Sequence, residues 1–160
     1  MDHGGGGEGR HDAGMEANRM ESSRRVLLAV DLSSASKGAI REAIRMAATD
    51  RAALLVFSVV EQSNLHLPGG RSRRVDQERD RLEAGVREVV AQARAAGVEA
   101  TYLIWEGDPA ESILEASASE GADVIVLGSR RRTDLRRLLL GSVSSEVSKR
   151  AACEVIVVPA

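Results

Sequence analysis

The pattern that most restricts the fold is a regular alternation between short, continuous apolar runs and longer stretches with helical periodicity. Apart from an alternating stretch at 98–105, which suggests a strand at a sheet edge, the runs are Val26–Val30, 53–60, 123–127 and 154–158. Such runs are typical of strands buried on both faces of a sheet. The four segments between them carry apolar residues three and four positions apart, which predicts amphipathic helices. We therefore expect an α/β domain with a five-stranded, mainly parallel sheet and four helices.

Local signals predict where two of the helices begin. The serines within 33–36 offer side-chain oxygens for the start of the first helix. Asp108 and Pro109 suit the N-cap and the first helical position of the third helix, and Glu111 completes a variant of the capping box.

Other signals predict where helices end and where the chain forms loops. Gly97 stands where a left-handed cap ends the second helix, and the third helix is expected to stop at Gly121. The polar stretch 61–74 is expected to be a loop, with the second helix beginning near Val75. The fourth helix is expected over about 141–151.

The alternation also places a binding crevice. Right-handed crossovers restrict the topology to a doubly wound sheet, for which we predict the strand order 3-2-1-4-5. In such sheets ligands bind beyond the carboxyl ends of the strands, where the winding reverses, here between the first and fourth strands. Asp31 follows the first strand and Gly128 follows the fourth. The crevice is expected between them.

The chain around this crevice has features of a phosphate site. Gly128 permits close backbone approach, and three arginines follow at 130–132. Gly141 and Ser142 open the fourth helix, whose free amides favour an anion, and Ser144 adds a hydroxyl. The alternative is that these residues only end a strand, cap a helix and form a solvated loop. The residues alone leave both interpretations open.

Composition excludes several classes of protein. The net charge of −2 and the pI of about 6.0 argue against a dedicated nucleic-acid binder. The single cysteine, Cys153, rules out an internal disulfide and a Cys-rich zinc site. No stretch is apolar for long enough to predict a membrane span. We therefore expect a cytoplasmic protein.

Residues 1–23 differ from the rest of the chain. They are rich in glycine, carry more acids than bases and contain no apolar run. This composition is typical of a disordered extension and excludes a signal peptide. We predict a disordered N-terminal extension over 1–23 and a single domain over 24–160.

Several stretches, in order, resemble one known family. They are the first strand with its acid (26–31), the third helix entry (107–114), the fourth strand with its glycine (124–130), the start of the fourth helix (138–144) and the ending 153–159. Over residues 24–160 the chain resembles the universal stress protein family, and the resemblance implies a role in stress response or signalling.

The resemblance extends to the ATP-binding members of that family. These are marked by a glycine, two residues, a second glycine, nine residues and then Gly-Ser or Gly-Thr. Gly128 matches the first glycine and Gly141-Ser142 the final pair, whereas Arg131 replaces the second glycine. The family's binders also often have proline where Ala29 stands. Arg131 would obstruct the phosphates or pair with them.

The resemblance implies the roles of the site residues. Asp31 would face the adenosine end, Val59 would contact the adenine region and Leu127 would line the pocket. The glycines and serines near the fourth helix would hold the sugar and phosphates. The nucleotide site is expected to comprise Ala29, Val30, Asp31, Val59, Leu127, Gly128, Arg130, Arg131, Gly141, Ser142, Val143 and Ser144. Mg²⁺ would come with ATP through the phosphates, with no metal ligand from a side chain.

No motif nominates a catalytic residue. The sequence lacks a GxxxxGK loop, an HExxH pair and a GxSxG elbow. A phosphorelay receiver shares the strand order, but here Pro159 follows the fifth strand where a receiver needs a lysine. We expect a binding protein with at most slow ATP hydrolysis.

The fifth strand predicts a homodimer. Its residues Val155, Ile156, Val157 and Val158 are apolar and lie at an edge of the predicted sheet, which invites pairing. Members of the family commonly pair this strand across a two-fold axis. An alternative function, favoured by Arg131 and Ala29, is a dimeric interaction protein of the same fold that binds no nucleotide.

Overall fold

The computed structural model describes residues 24–61, 71–129 and 141–159. The predicted disorder of 1–23 and the predicted site residues Arg130 and Arg131 lie outside these ranges. Within them, strands and helices alternate along the chain: β1 (Arg25–Ala29), α1 (Ser36–Asp50), β2 (Ala53–Glu61), α2 (Arg71–Ala95), β3 (Ala100–Gly107), α3 (Pro109–Ser119), β4 (Val124–Ser129), α4 (Ser142–Arg150) and β5 (Glu154–Pro159). None of the helices in these ranges combines the length and the hydropathy needed to cross a bilayer.

The strands form one parallel sheet in the order β3-β2-β1-β4-β5, which confirms the predicted topology. β1 lies at the centre, where Ala29 pairs with Phe57 of β2 on one side and with Leu127 of β4 on the other. The carboxyl ends of these three strands therefore meet at the same edge of the sheet. The direction of the crossovers reverses between β1 and β4.

Helices cover both faces of the sheet, which explains the unbroken apolar runs. Leu28 packs beneath α1 and α2, and its neighbour Leu27 packs beneath α3 and α4. Both side chains are fully buried, because successive residues of a strand point to opposite faces. Ala39 and Ala43 are also fully buried on α1, since small side chains let this helix lie close to the sheet.

The second helix begins earlier than its apolar periodicity indicated. α2 starts at Arg71 rather than near Val75, and Glu61 belongs to β2, so the predicted loop over 61–74 was too long. Arg73 and Arg74 are exposed. Because this first turn of α2 buries no apolar side chain there, its sequence lacks the apolar periodicity that predicts a helix.

The third helix begins as predicted, but its capping box is incomplete. The Asp108 carboxylate accepts a hydrogen bond from the Glu111 amide at 3.0 Å, and Pro109 is the first helical residue. The Glu111 carboxylate does not return to the Asp108 amide. It accepts instead from the guanidinium of Arg150 at the end of α4, so this side chain joins two helices.

The serines before α1 do not cap it. The N-cap is Ala35, with no side-chain hydrogen bond to the helix. The hydroxyl of Ser36 turns away and donates to the Asp31 carboxylate. The predicted left-handed end is confirmed at Gly97, with φ 81°, and the structure shows that Gly121 also has a positive φ, of 64°.

Candidate functional site

A cavity of about 300 Å³ lies at the carboxyl ends of β1, β2 and β4. This volume is at the small end of the range for small-molecule sites. The structure brings together every residue of the predicted nucleotide site that lies within the described ranges. The cavity is lined by Ala29, Val30, Asp31, Val59, Leu127, Gly128, Gly141, Ser142, Val143 and Ser144, among others.

Sequence reasoning missed a second group of lining residues. Phe57, Ser58 and Glu61 come from the end of β2, and Pro109 and Ile113 come from the start of α3. The parallel register, in which the end of β2 lies beside the end of β1, is the signal that could have found the first three. Asp108 and Pro109 predict the helix start but carry no local signal that it lies at the same edge.

Gly128 makes room for the chain itself. A β-carbon on this residue would lie under 3.0 Å from the carbonyl oxygen of Ala35 and 3.1 Å from its carbonyl carbon. The backbone at the start of α1 therefore crosses directly over the end of β4. A side chain at Gly128 would push this backbone away and change the wall of the cavity.

The carboxylate of Asp31 is fixed by its own loop. Its Oδ1 accepts hydrogen bonds from the Ser33 amide and from the Ser36 hydroxyl, each at 2.9 Å. The loop is tied in turn to β2, because the buried Ser58 hydroxyl donates to the Val30 carbonyl at 2.7 Å. These bonds hold the carboxylate at the cavity wall.

The start of α4 forms the opposite wall. Its N-cap is Gly141, which forms no side-chain cap, so neither Ser142 nor Ser144 serves as one. The Ser144 hydroxyl donates to the Gly141 carbonyl at 3.2 Å. The first amides of a helix have no acceptor within it, and the first turn of α4 carries no acid. This wall is therefore suited to an anion.

The start of α3 is electrostatically different from that of α4. The Asp108 carboxylate occupies the amide end of α3, which cancels much of its positive character. Among the described lining residues, the ionisable side chains are those of Asp31 and Glu61. The cavity thus has an acidic side formed by β1 and β2, and a side at α4 that favours negative charge.

Comparison with known proteins identifies the family. The model of the universal stress protein family matches residues 22–159. The chain belongs to the universal stress protein family.

Two relatives within this family match most of the chain. Universal stress protein MJ0531 of Methanocaldococcus jannaschii is 33% identical over 138 residues, covering 84% of this chain and 81% of the relative. Universal stress protein YxiE of Bacillus subtilis is 31% identical over 147 residues, covering 84% and 97%. The solved structure of universal stress protein UspA from Lactobacillus plantarum superposes with a TM-score of 0.74 at 28% identity, covering 84% of this chain and 97% of that one.

Two other solved universal stress proteins contain bound nucleotides. One is a complex with cAMP, which has a TM-score of 0.64 at 23% identity and covers 86% of this chain and 98% of that one. The other is the Archaeoglobus fulgidus protein in complex with dAMP, with a TM-score of 0.64 at 24% identity, covering 85% and 98%. At these sequence identities, the comparison shows that the two proteins share the fold of this chain.

Proposed function

We propose that this protein is a nucleotide-binding module of stress response or signalling, and that ATP occupies the cavity at the carboxyl ends of β1, β2 and β4. The observation that carries the proposal is the opposed chemistry of the two walls. The uncapped start of α4 favours phosphate, whereas Asp31 and Glu61 on the other side are acceptors. A nucleotide matches both walls, because its phosphates are anionic and its base and sugar carry hydrogen-bond donors.

The apolar lining suggests how the base would lie. Phe57, Val59 and Ile113 line the cavity between β2 and α3, and an aromatic base would bury its faces against them. Donor groups of the base and sugar would reach the acids at Asp31 and Glu61. The phosphates would then point to the amides of 142–144.

A bound Mg²⁺ would be carried by the phosphates. Within the described ranges, no three His, Cys, Asp or Glu side chains are grouped so as to hold a metal ion. The chemistry that the ion supplies is neutralisation of phosphate charge. We propose binding, with hydrolysis slow at most.

The fold relatives support adenine nucleotides as the ligand class. One has been solved with cAMP and another with dAMP. These ligands share an adenine base, a sugar and a phosphate. We therefore extend the proposal to the monophosphates, with ATP as the ligand that offers the α4 amides the largest negative charge.

Ser142→Glu tests this proposal by isothermal titration calorimetry. Ser142 is exposed at the start of α4, where a carboxylate suits the helix dipole and leaves the fold intact. The same charge would repel phosphates. We expect wild-type protein to give saturable heat with ATP, Ser142→Glu to weaken ATP affinity by at least about tenfold, and adenosine affinity to stay unchanged.

Ser142→Gln is the matched control, because it has the same size without the charge. It should retain most of the ATP affinity. No saturable heat from the wild type up to millimolar ATP would contradict the proposal. An equal loss in both variants would contradict the placement of the phosphates at α4.

Arg131 provides a second test. It replaces a glycine of the ATP-binding pattern and lies outside the described residues. Tighter ATP binding by Arg131→Gly would identify the side chain as an obstacle, and weaker binding would identify it as a ligand. Arg131 also favours the alternative function, a dimeric interaction protein without nucleotide. Ultraviolet absorbance of the purified protein, which detects co-purified nucleotide, separates the two functions.

We further propose a homodimer through β5. Val155, Ile156, Val157 and Val158 are each half-buried, whereas the neighbouring β4 is almost fully buried. Their apolar side chains line the outer edge of the sheet within the described residues. A second copy of β5 would cover them and pair the edge.

The opposite edge, β3, is protected by arginines of α2. The backbone carbonyl of Glu99, just before β3, accepts from the Leu54 amide of β2. Because carbonyls alternate in direction along a strand, those of Ala100 and Ile104 point outward. Arg94 donates to the Ala100 carbonyl at 3.0 Å, and Arg79 donates to the Ile104 carbonyl at 3.4 Å. Because charged side chains discourage strand pairing, this difference favours β5 as the dimer edge.

A further inference from the structure

Leu32, the residue after Asp31, has a backbone conformation that leucine rarely adopts. Its φ is 63°, in the left-handed region that disfavours side chains with a β-carbon. A non-glycine residue keeps such a conformation only where its surroundings impose it. Leu32 is partly buried and packs against the core beneath α2.

The surroundings that impose it include Gly85 of α2. A β-carbon on Gly85 would lie under 3.0 Å from both methyl carbons of Leu32. The leucine side chain therefore occupies the space that any other residue at position 85 would fill. Gly85 interrupts the helix propensity of α2, and the contact with Leu32 gives a reason for it.

The α2 side of the contact between Leu32 and Gly85 is rigid. Leu82, Val86 and Val89 flank Gly85, and all are buried; Val86 and Val89 belong to the core cluster against which Leu32 packs. α2 therefore cannot easily move to accommodate a displaced leucine. A change in the contact would instead move the loop that contains Leu32.

The charge of Asp31 also acts weakly on α2. The pKa of Arg81 is raised, first by its hydrogen bond to Glu78 and in smaller part by the negative charge of Asp31. Arg81 lies one helical turn from Gly85. The carboxylate and the leucine that follows it thus both interact with one short stretch of α2.

We propose that Leu32 is a positioning residue: seated on Gly85, its side chain holds the loop that presents Asp31 to the cavity, and so sets the affinity for nucleotide. The inference rests on the proposed function. Its physical basis is that Asp31 has two internal hydrogen bonds to the same loop. The carboxylate therefore moves with the loop as a unit, and the leucine contact fixes the loop relative to the sheet.

A double-mutant cycle between Leu32 and Gly85 tests the proposal with ATP as the probe. Gly85→Ala adds a methyl group where the leucine lies, and it raises helix propensity. We expect ATP affinity to fall about five- to tenfold while the apo protein still unfolds cooperatively, because the gain in helix propensity offsets part of the cost of admitting the methyl group. Leu32→Ala removes the anchor and should also weaken ATP binding. In the Leu32→Ala background, Gly85→Ala should have no further effect, because it acts through Leu32.

Amide NMR spectra of the ligand-free proteins provide the second measurement. Compared with the wild type, Gly85→Ala should shift the amide resonances of residues 31–36. The Leu32→Ala/Gly85→Ala double variant, compared with Leu32→Ala alone, should not show these shifts. Gln92→Ala, an exposed change of propensity on α2, should alter neither affinity nor these resonances.

The outcomes separate this inference from the function on which it rests. Undiminished ATP affinity in both single variants would overturn the positioning role while leaving nucleotide binding intact. An equal loss from Gly85→Ala in both backgrounds would also overturn it, because the effect would not pass through Leu32. A wild type that binds no ATP would overturn the proposed function and this inference together.

Discussion

The carbonyl oxygen of Ala35 lies under 3.0 Å from the place that a β-carbon would take on Gly128. The relationship joins the start of α1 to the end of β4, and both residues line the cavity. The glycine of the fourth strand is thus required by the packing of the chain, whatever the cavity binds. For a variant of Gly128, a stability measurement therefore reports the loss of packing, and a binding measurement reports the change in the cavity wall.

Gly128→Ala is expected to lower the free energy of unfolding by about 1–3 kcal/mol, because a backbone atom must move to admit the methyl group. The midpoint and slope of urea unfolding measure this loss. Gly141→Ala is the control, since its β-carbon would meet Ser144 Oγ at an ordinary 3.7 Å. It should cost no more than about 1 kcal/mol. A Gly128→Ala protein as stable as the wild type would contradict the close approach.

Asp108→Ala is expected to lower the free energy of unfolding by about 1 kcal/mol, because the Glu111 amide loses its acceptor. Asp108→Asn should retain most of the stability, since asparagine is an equally good N-cap. Urea unfolding compares the two variants. Equal losses would show that the charge at Asp108 matters, and not the cap.

The sheet could be predicted from the sequence because its signal is local. Runs such as Val26–Val30 are unbroken only where a strand is covered on both faces, and the right-handed crossover rule then restricts the order. The start of α3 was equally readable, since Asp108 and Pro109 act within one turn. Where the ends of β1 and β4 meet follows from the topology, so the crevice could also be placed.

The rest depended on contacts that the sequence pattern does not specify. Ser36 donates to Asp31 instead of capping α1, and Glu111 pairs with Arg150 from another helix. The Ser36 hydrogen bond spans five positions and turns the side chain away from the helix, whereas the Glu111 bond spans 39 positions and joins two helices. The Leu32 side chain fills the space beside Gly85, more than fifty positions along the chain, and no local pattern encodes this contact.

Cys153 is expected to react slowly with iodoacetamide. Burial raises the pKa of its thiol first, and the charges of Asp123 and Glu154 raise it further, against an opposing backbone hydrogen bond. At pH 8 the native rate should fall below that of the urea-unfolded chain, as mass spectrometry can follow. Because the folded pKa is raised, the associated stability is present below the unfolded pKa and is lost as pH rises through the folded one. Equal native and unfolded rates would contradict the shift.

Val157→Lys is expected to raise the dimer dissociation constant at least tenfold, about 1.4 kcal/mol, because it places a charge in the proposed β5 interface. Light scattering across a concentration series measures the change, and cooperative thermal unfolding shows that the domain is still folded. Thr101→Lys is the matched control, because it puts the same charge at an exposed position of the other edge strand. It should leave the dimer intact, since Arg79 and Arg94 already protect that edge. A wild type that is monomeric at micromolar concentration, or a dimer weakened equally by both changes, would argue against pairing through β5.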